Sequence, residues 1–249
     1  SEEDMTNIYE SFSSYAIIGK RVYNGQNEYY MIEQGNKNGM IDNEQLQKYI
    51  HMSNETVNNA IDQNAKDAVT PSEWAAPEVN KALENGLISD ETEHFYREYI
   101  TREEFAELIV TCVNKLTDTK VNIKKNTFTD VNNEAIDKAY SMGIVSGVDD
   151  TTFAPKNKIT RQEIAAMMHR AIKYVETANS KTYLKNNISL DGYSDSDKVS
   201  EWARESVGTL VNNEIIFGTS DTTISPLANT TIEEAVLLDV RIFELMQNE

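Results

Sequence analysis

Apolar residues return every three or four positions along three stretches of the chain, and a threonine opens each stretch. Phe105, Leu108, Cys112 and Leu116 follow Thr101; Ile164, Met167, Ala171 and Val175 follow Thr160; Ala235, Leu238, Ile242 and Met246 follow Thr231. Steps of three and four put such side chains on one face of a helix, so the pattern predicts three amphipathic helices of about four turns each. Each begins Thr-x-x-Glu: Thr101 with Glu104, Thr160 with Glu163, Thr231 with Glu234. In that arrangement the threonine hydroxyl accepts from the third helical amide and the glutamate returns to the threonine's own N–H, which fixes where the helix starts.

A shorter amphipathic segment precedes each long one. Val79 and Ala82 follow Trp74-Ala75, Ile136 and Ala139 answer them, and Val207 and Leu210 follow Trp202-Ala203. A turn comes next: Gly86-Leu87-Ile88-Ser89-Asp90, Gly143-Ile144-Val145-Ser146-Gly147 and Glu214-Ile215-Ile216-Phe217-Gly218. Gly143 fits a left-handed helix C-cap. Phe153-Ala154-Pro155 and Ile224-Ser225-Pro226 mark a second turn, and Phe128-Thr129-Asp130 and Tyr193-Ser194-Asp195 mark the starts of the second and third copies. Separate features held in one register identify an internal repeat, and no single copy can bury its apolar stripe alone.

An aromatic-x-Asp start, a Trp-Ala helix, a Gly-Ile-x-x-Gly turn, a Phe-x-Pro loop and an Ile-Thr-Arg-x-Glu helix start, in that order, resemble the S-layer homology repeat. The resemblance covers residues 70–248, in repeats of about 70–117, 128–178 and 193–248. It implies a mainly α, pseudo-threefold domain with the long helices as a central three-helix bundle. It also implies that the chain holds a surface protein non-covalently to a bacterial cell wall, by binding a secondary wall polysaccharide whose terminal amino sugar carries an acidic ketal such as pyruvate. The expected location is therefore the secreted, cell-surface fraction, and the expected activity is non-catalytic.

The candidate ligand residues follow from the helix starts. Arg102 and Arg161 stand at the first helical position, where a guanidinium fork and the partial charge of a helix end could together hold a carboxylate. Thr101 and Thr160 open those ends and join them as candidates. Two readings stand for the arginines, surface ion pairing and ligand contact, and the resemblance favours contact by at least one. Ile232 takes the arginine's place in copy three. Trp74 and Trp202 are either core residues or platforms for a sugar ring, since an indole offers an apolar face and an N–H donor; Val131 stands at their aligned position in copy two. Gly147 and Gly218 would let a ligand approach the backbone. Copy one departs here, with Asp90 in place of the second glycine and a shorter loop.

Residues 1–69 lie outside the repeats and read as a mixed or α segment, the end of a larger effector domain. Helices are expected over 6–18, 43–52 and 54–63, and a hairpin about Asn24-Gly25, a favoured two-residue turn. Gln34 to Gln45 has the outline of a calcium-binding loop, but glutamines at its first and twelfth positions remove most of the ligand charge, so it reads as a plain Asn/Gly turn. A chain that opens on Ser1 rather than Met reads as a processed product or an excised fragment.

Charge narrows the partners. A net charge of −18 over 249 residues opposes nucleic acid and anionic membranes, so an anionic ligand must be caught by a few locally placed cations. No run approaches the roughly 18 apolar residues of a membrane span. Cys112 is the single cysteine, on an apolar face, and excludes an intrachain disulfide or a cysteine metal cluster. No cofactor motif is present, and His51, His94 and His169 are scattered, His169 at a polar position where it should be solvated. The rival classes are a lattice-forming surface subunit and a fragment of a wall-active enzyme with catalysis outside the repeats.

Overall fold

The computed structural model describes the strands at 17–23, 26–32 and 50–52, and residues 70–88, 95–118 and 120–247. Two compact units divide the chain, Ser1–Thr70 and Pro71–Glu249. In the first, β1 (Ile17–Tyr23), β2 (Gln26–Ile32) and β3 (Ile50–Met52) form an antiparallel sheet in that order. Tyr23 pairs with Gln26, the strand pairing expected of the hairpin. Two expected helices are corrected. Ile17 and Ile18, assigned to the end of the first, pair with Ile32 and Met31. Ile50, His51 and Met52, assigned to the end of the second, pair with Met31, Tyr30 and Tyr29. Strand pairing between distant β-branched and aromatic residues overrides a helical period that the local sequence also satisfies. The Gln34–Gln45 loop and the expected helix over 54–63 lie outside the described residues.

The second unit is helical. Short helices α1 (Ala76–Glu84), α3 (Glu134–Ser141) and α5 (Glu201–Asn212) alternate with long helices α2 (Arg102–Leu116), α4 (Arg161–Asn179) and α6 (Ile232–Gln247). The long helices start where the threonines predict. Thr101 N–H donates to Glu104 Oε2 at 2.7 Å, Thr160 N–H to Glu163 Oε2 at 2.9 Å and Thr231 N–H to Glu234 Oε2 at 2.8 Å. The turns after the short helices need a left-handed residue, supplied by Gly86 and Gly143 at φ 62° and 72° and, in copy three, by Glu214 at φ 58°. None of the described helices is long and apolar enough to cross a membrane.

The copies interlock. Each short helix packs on the long helix of the preceding copy: α3 on α2, α5 on α4, and α1 on α6, while α2 also meets α4 and α6. Three backbone hydrogen bonds close a ring just ahead of the long helices: Ile100 N–H to Thr230 O at 3.0 Å, Thr230 N–H to Ile159 O at 3.3 Å, and Ile159 N–H to Ile100 O at 3.2 Å. The first two amides of every long helix donate to loop carbonyls of the next copy, Arg102 to Asn157, Arg161 to Ala228 and Ile232 to Glu98 at the first position, and Glu103 to Pro155, Gln162 to Pro226 and Glu233 to Tyr96 at the second. The side chain at that second position then ties down the start of the next short helix. Glu103 accepts from Asn133 Nδ2 at 3.0 Å, Gln162 from Ser200 N–H at 2.9 Å and Glu233 from Ser72 N–H at 2.8 Å.

The apolar stripes meet inside, with Phe105, Ile109, Ile164, Met168, Ile172 and Ile242 almost wholly buried and Cys112 among them. His169 is a correction. It is 8% exposed, with Nδ1 3.2 Å from Ser206 Oγ on α5, because α5 covers the face of α4 that looked polar.

Asp239 is the anomaly of the bundle. It stands at the α6 position that Ile109 and Met168 fill in the other long helices, it is 1% exposed, and neither carboxylate oxygen has a hydrogen-bond partner among the described residues. Burial pushes its pKa well above the usual carboxylate range. The folded state therefore keeps a proton that the unfolded chain releases above about pH 4, so this group lowers stability as pH rises from there towards its folded pKa. Asp239→Leu is expected to raise stability by about 2 kcal/mol, with a gain over the parent that widens from pH 4 to pH 7 in thermal melts followed by circular dichroism. A gain independent of pH would mean that the carboxyl is ionised where it sits.

Candidate functional site

In copies two and three the loop between the short and the long helix is built by an aspartate. Asp130 accepts from the amides of Phe153 at 2.9 Å and Ala154 at 2.7 Å; Asp195 accepts from those of Ile224 at 2.9 Å and Ser225 at 2.8 Å. Ala154 and Ser225 lie at φ 59° and 54°, a left-handed conformation that costs an L-residue energy and that the bidentate carboxylate holds in place. The Phe153 amide foremost keeps the Asp130 carboxyl below its ordinary pKa. This turn aims the Phe153 and Ile224 carbonyls back across the copy boundary, where each meets an arginine.

Arg102 crosses from α2 into copy two. Its Nε donates to Phe153 O at 2.9 Å, Nη1 meets Glu163 Oε1 at 2.8 Å, Nη2 donates to Ser146 O at 3.2 Å, and the guanidinium carbon lies 5.0 Å from the centre of the Phe153 ring. The residue is 5% exposed, and burial lowers its pKa against the opposing charge of Glu163. Arginine stays charged under such a shift. Its five N–H groups thus have three commitments among the described residues, leaving two for a ligand.

A cavity of about 410 Å³ opens above this guanidinium. Its walls are Arg102 of copy one, Ser146, Gly147, Val148, Glu163, Met167 and Arg170 of copy two, and Trp202 of copy three. Arg170 is held only loosely, its Nη1 3.4 Å from both Ile144 O and Ser146 Oγ. Trp202 is 57% exposed, so its indole is a wall and not a core residue.

The boundary between copies two and three repeats the plan. Arg161 Nε donates to Ile224 O at 2.9 Å and Nη2 to Phe217 O at 2.7 Å. Burial lowers its pKa, opposed by the charge of Glu234, yet no carboxylate comes within ion-pair distance of it among the described residues. Arg241 takes the place of Arg170, donating to Ile215 O at 3.1 Å and lying 4.6 Å from the centre of the Phe217 ring. Phe217 stands where copy two has Ser146 and is 50% exposed.

The S-layer homology domain model matches residues 127–165 and 192–236, the two copies that meet around Arg161. Over those two segments the chain is similar to the S-layer homology domain. It is 27% identical over 182 residues to an amylopullulanase of Thermoanaerobacterium thermosulfurigenes, covering 70% of this chain and 9% of that protein. It is 26% identical over 182 residues to exoglucanase XynX of Acetivibrio thermocellus, covering 70% and 16%, and 31% identical over 114 residues to cell surface glycoprotein 1 of the same species, covering 40% and 5%. The chain thus spans less than a fifth of the length of these relatives.

The candidate residues sort by what they touch. Arg102, Gly147 and Trp202 share one cavity, each from a different copy. At the next boundary Arg161 donates to Phe217 O, the carbonyl that precedes Gly218. Trp74 is 56% exposed and so is not a core residue. The helix-end amides are a correction. The first two are spent on loop carbonyls and the capping boxes use the cap amides, so the long helices offer no open N-terminus to an anion. Thr101 and Thr160 accordingly serve as caps: both hydroxyls donate to the box glutamates, at 2.7 and 2.6 Å, and neither residue lines the cavity.

The glycines have a second reason in their own loops. A Cβ on Gly147 would lie 2.2 Å from Asp149 O and 2.5 Å from Thr152 O; on Gly218 it would lie 2.4 Å from Ser220 O and Thr223 O. Their own loops, folding back on them, exclude a side chain, whatever binds. Arg170 and Arg241 were missed from the sequence. The register held the signal, since both fall at the same distance past their cap threonines. Gly147→Ala is expected to lower stability by about 2 kcal/mol, visible as a reduced melting temperature with no ligand present. An unchanged melting temperature would return Gly147 to a role in ligand approach.

Proposed function

We propose that this chain anchors a surface protein non-covalently to the cell wall by holding the acidic terminal sugar of a secondary wall polysaccharide in the cavity between its repeats. One observation carries the reading: on a chain of net charge −18, Arg102 and Arg170 converge with the exposed Trp202 around a single cavity. A carboxylate is the natural guest of two guanidiniums, and a sugar ring presents the apolar face that an indole covers.

The two arginines divide the work. Arg102 is fixed by three protein partners and offers its remaining N–H groups without reorganisation. Arg170, with only long contacts, closes onto the guest. A pyruvate ketal fits this division, because its carboxylate sits beside the ring that Trp202 would cover. The site round Arg161 and Arg241 takes the same acid more weakly where Phe217 fills the approach. Holding a sugar needs no bond made or broken, which suits an anchor. The polysaccharide-degrading names of two relatives belong to those proteins, whose length lies mostly outside the matched part.

Binding to purified sacculi, with and without acid extraction of the secondary polymer, tests the reading. The chain is expected to sediment with intact sacculi and stay in solution with extracted ones. Arg170→Ala is expected to weaken binding at least tenfold, about 1.4 kcal/mol, with an unchanged melting temperature, whereas Arg102→Ala loses both affinity and stability. Equal binding to extracted sacculi would assign the site to peptidoglycan instead. Full affinity in Arg170→Ala together with Trp202→Ala would remove this cavity from the account.

A further inference from the structure

Three long helices related by a pseudo-threefold axis make three boundaries, and the third differs in chemistry from the other two. Between copies three and one lies a cavity of about 380 Å³. Ile232 stands there in the place of Arg102 and Arg161, and Thr111 in that of Arg170 and Arg241. Glu104 keeps the position of Glu163, and Glu107 adds a second carboxylate where the other copies have Ala166 and Leu237. Among the described residues, the aligned positions thus set two guanidiniums against one carboxylate at the first two boundaries and no arginine against two carboxylates at the third, where the Lys156 ammonium, paired with Glu103, acts on both from beside the cleft. An acidic sugar is repelled there.

We propose that this third cleft binds a lysine-type alkylammonium presented by a peptide. Glu104 uses Oε2 for its capping box, receiving the Thr101 amide and hydroxyl at 2.7 Å each. Its Oε1 has no hydrogen-bond partner among the described residues, whereas Oε1 of Glu163 meets the guanidinium of Arg102 at 2.8 Å. In the sister boundary, therefore, this oxygen is satisfied by a cation that a polypeptide side chain delivers from outside the copy. Glu107 is anchored by Asn133 Nδ2 at 2.6 Å and stands one turn further along the same helix face. Below the two carboxylates the wall is apolar, formed by Leu108, Ile232 and Val236 with the half-exposed Phe95. A methylene stem lies against such a wall while its ammonium, a compact charge with three N–H donors, reaches the carboxylates. The chain's overall negative charge draws a basic segment towards the cleft from a distance.

The inference is independent of the acid-binding reading, and the two are tested by different probes. Isotope-labelled protein is titrated with N-acetyl-lysine N-methylamide and with its norleucine analogue in about 0.15 M salt, a concentration that screens charges beyond roughly 8 Å. The lysine derivative is expected to shift the amides of Leu108, Thr111 and Ile232 together, at least tenfold more tightly than norleucine. Ile232→Arg restores the sister cation to Glu104 and is expected to lose that binding at least tenfold, while sedimentation with sacculi is retained. Glu107→Gln, on a solvated face and outside the capping box, is expected to weaken it several-fold and decides the matter if the arginine variant does not fold. Equal affinity for both derivatives, shifts scattered over the acidic surface, or undiminished binding in Glu107→Gln would each overturn the proposal.

Discussion

The ring of hydrogen bonds through Ile100, Thr230 and Ile159 is the constraint on which the helical unit depends. All three residues are buried, at 2%, 0% and 0% exposure, so their amides have no water to turn to. A buried N–H left unpaired costs about 1–3 kcal/mol, and here each finds its acceptor only in another copy. The ring runs from copy one to three to two. The first amides of the long helices run the other way, Arg102 to Asn157, Arg161 to Ala228 and Ile232 to Glu98. Every pair of copies is thereby stitched in both senses, and the three helix starts are held at one level. That level is what carries the side chain at the first helical position over the boundary into its neighbour's loop. The geometry of the clefts is a consequence of main-chain pairing at the axis.

Arg102 shows how structure and binding come to share one side chain. Two carbonyls and a carboxylate fix the plane of its guanidinium, and the Phe153 ring lies against it. The group gives up water for these partners, which a delocalised and weakly hydrated cation does at lower cost than an ammonium. Once placed, it needs no rearrangement to meet an anion, and low solvent access strengthens the attraction. Lysine at this position could satisfy one of the carbonyls but not span both and the carboxylate. Arg161 repeats the carbonyl contacts without the direct carboxylate, so its charge is less neutralised by the protein.

Much of the helical unit was legible because its signals are local. Thr-x-x-Glu is a hydrogen-bond pattern written over four residues, and all three long helices begin where it stands. Gly143 was legible as a left-handed cap for the same reason. What was hidden depends on contacts between distant segments. Which copies share a cavity follows from the axial ring, not from any one repeat, so Arg102 could not be matched to Gly147 and Trp202 from their positions. The burial of His169 follows from α5 lying over α4. Residues 50–52 carry a pattern open to helix or strand, and only their pairing with β2 decides it. Arg170 is the instructive omission. Its register with Arg241 was readable, but no capping pattern marks a cation nearly three turns past the helix start.

Copy three accepts departures that the other two do not. Glu214 takes the left-handed position of a glycine, the Thr230 hydroxyl is buried without a partner among the described residues, and Asp239 replaces an apolar residue inside the bundle. Each is unfavourable by an amount on the order of 1–3 kcal/mol. They are tolerated because the contacts that define the fold are made by the main chain of the ring, by the capping boxes and by α1 packing on α6, and copy three keeps all of these. The loss of arginine at Ile232 belongs with them but differs in kind. It leaves the backbone partner of that residue, Glu98 O, in place, while it removes the charge from the cleft. Position along the helix therefore separates the two demands on the repeat. Residues facing the axis answer to packing, and Thr230 and Asp239 depart there at a cost in stability, whereas the first helical side chain and those a turn or more beyond it face a cleft and can change its chemistry without that cost.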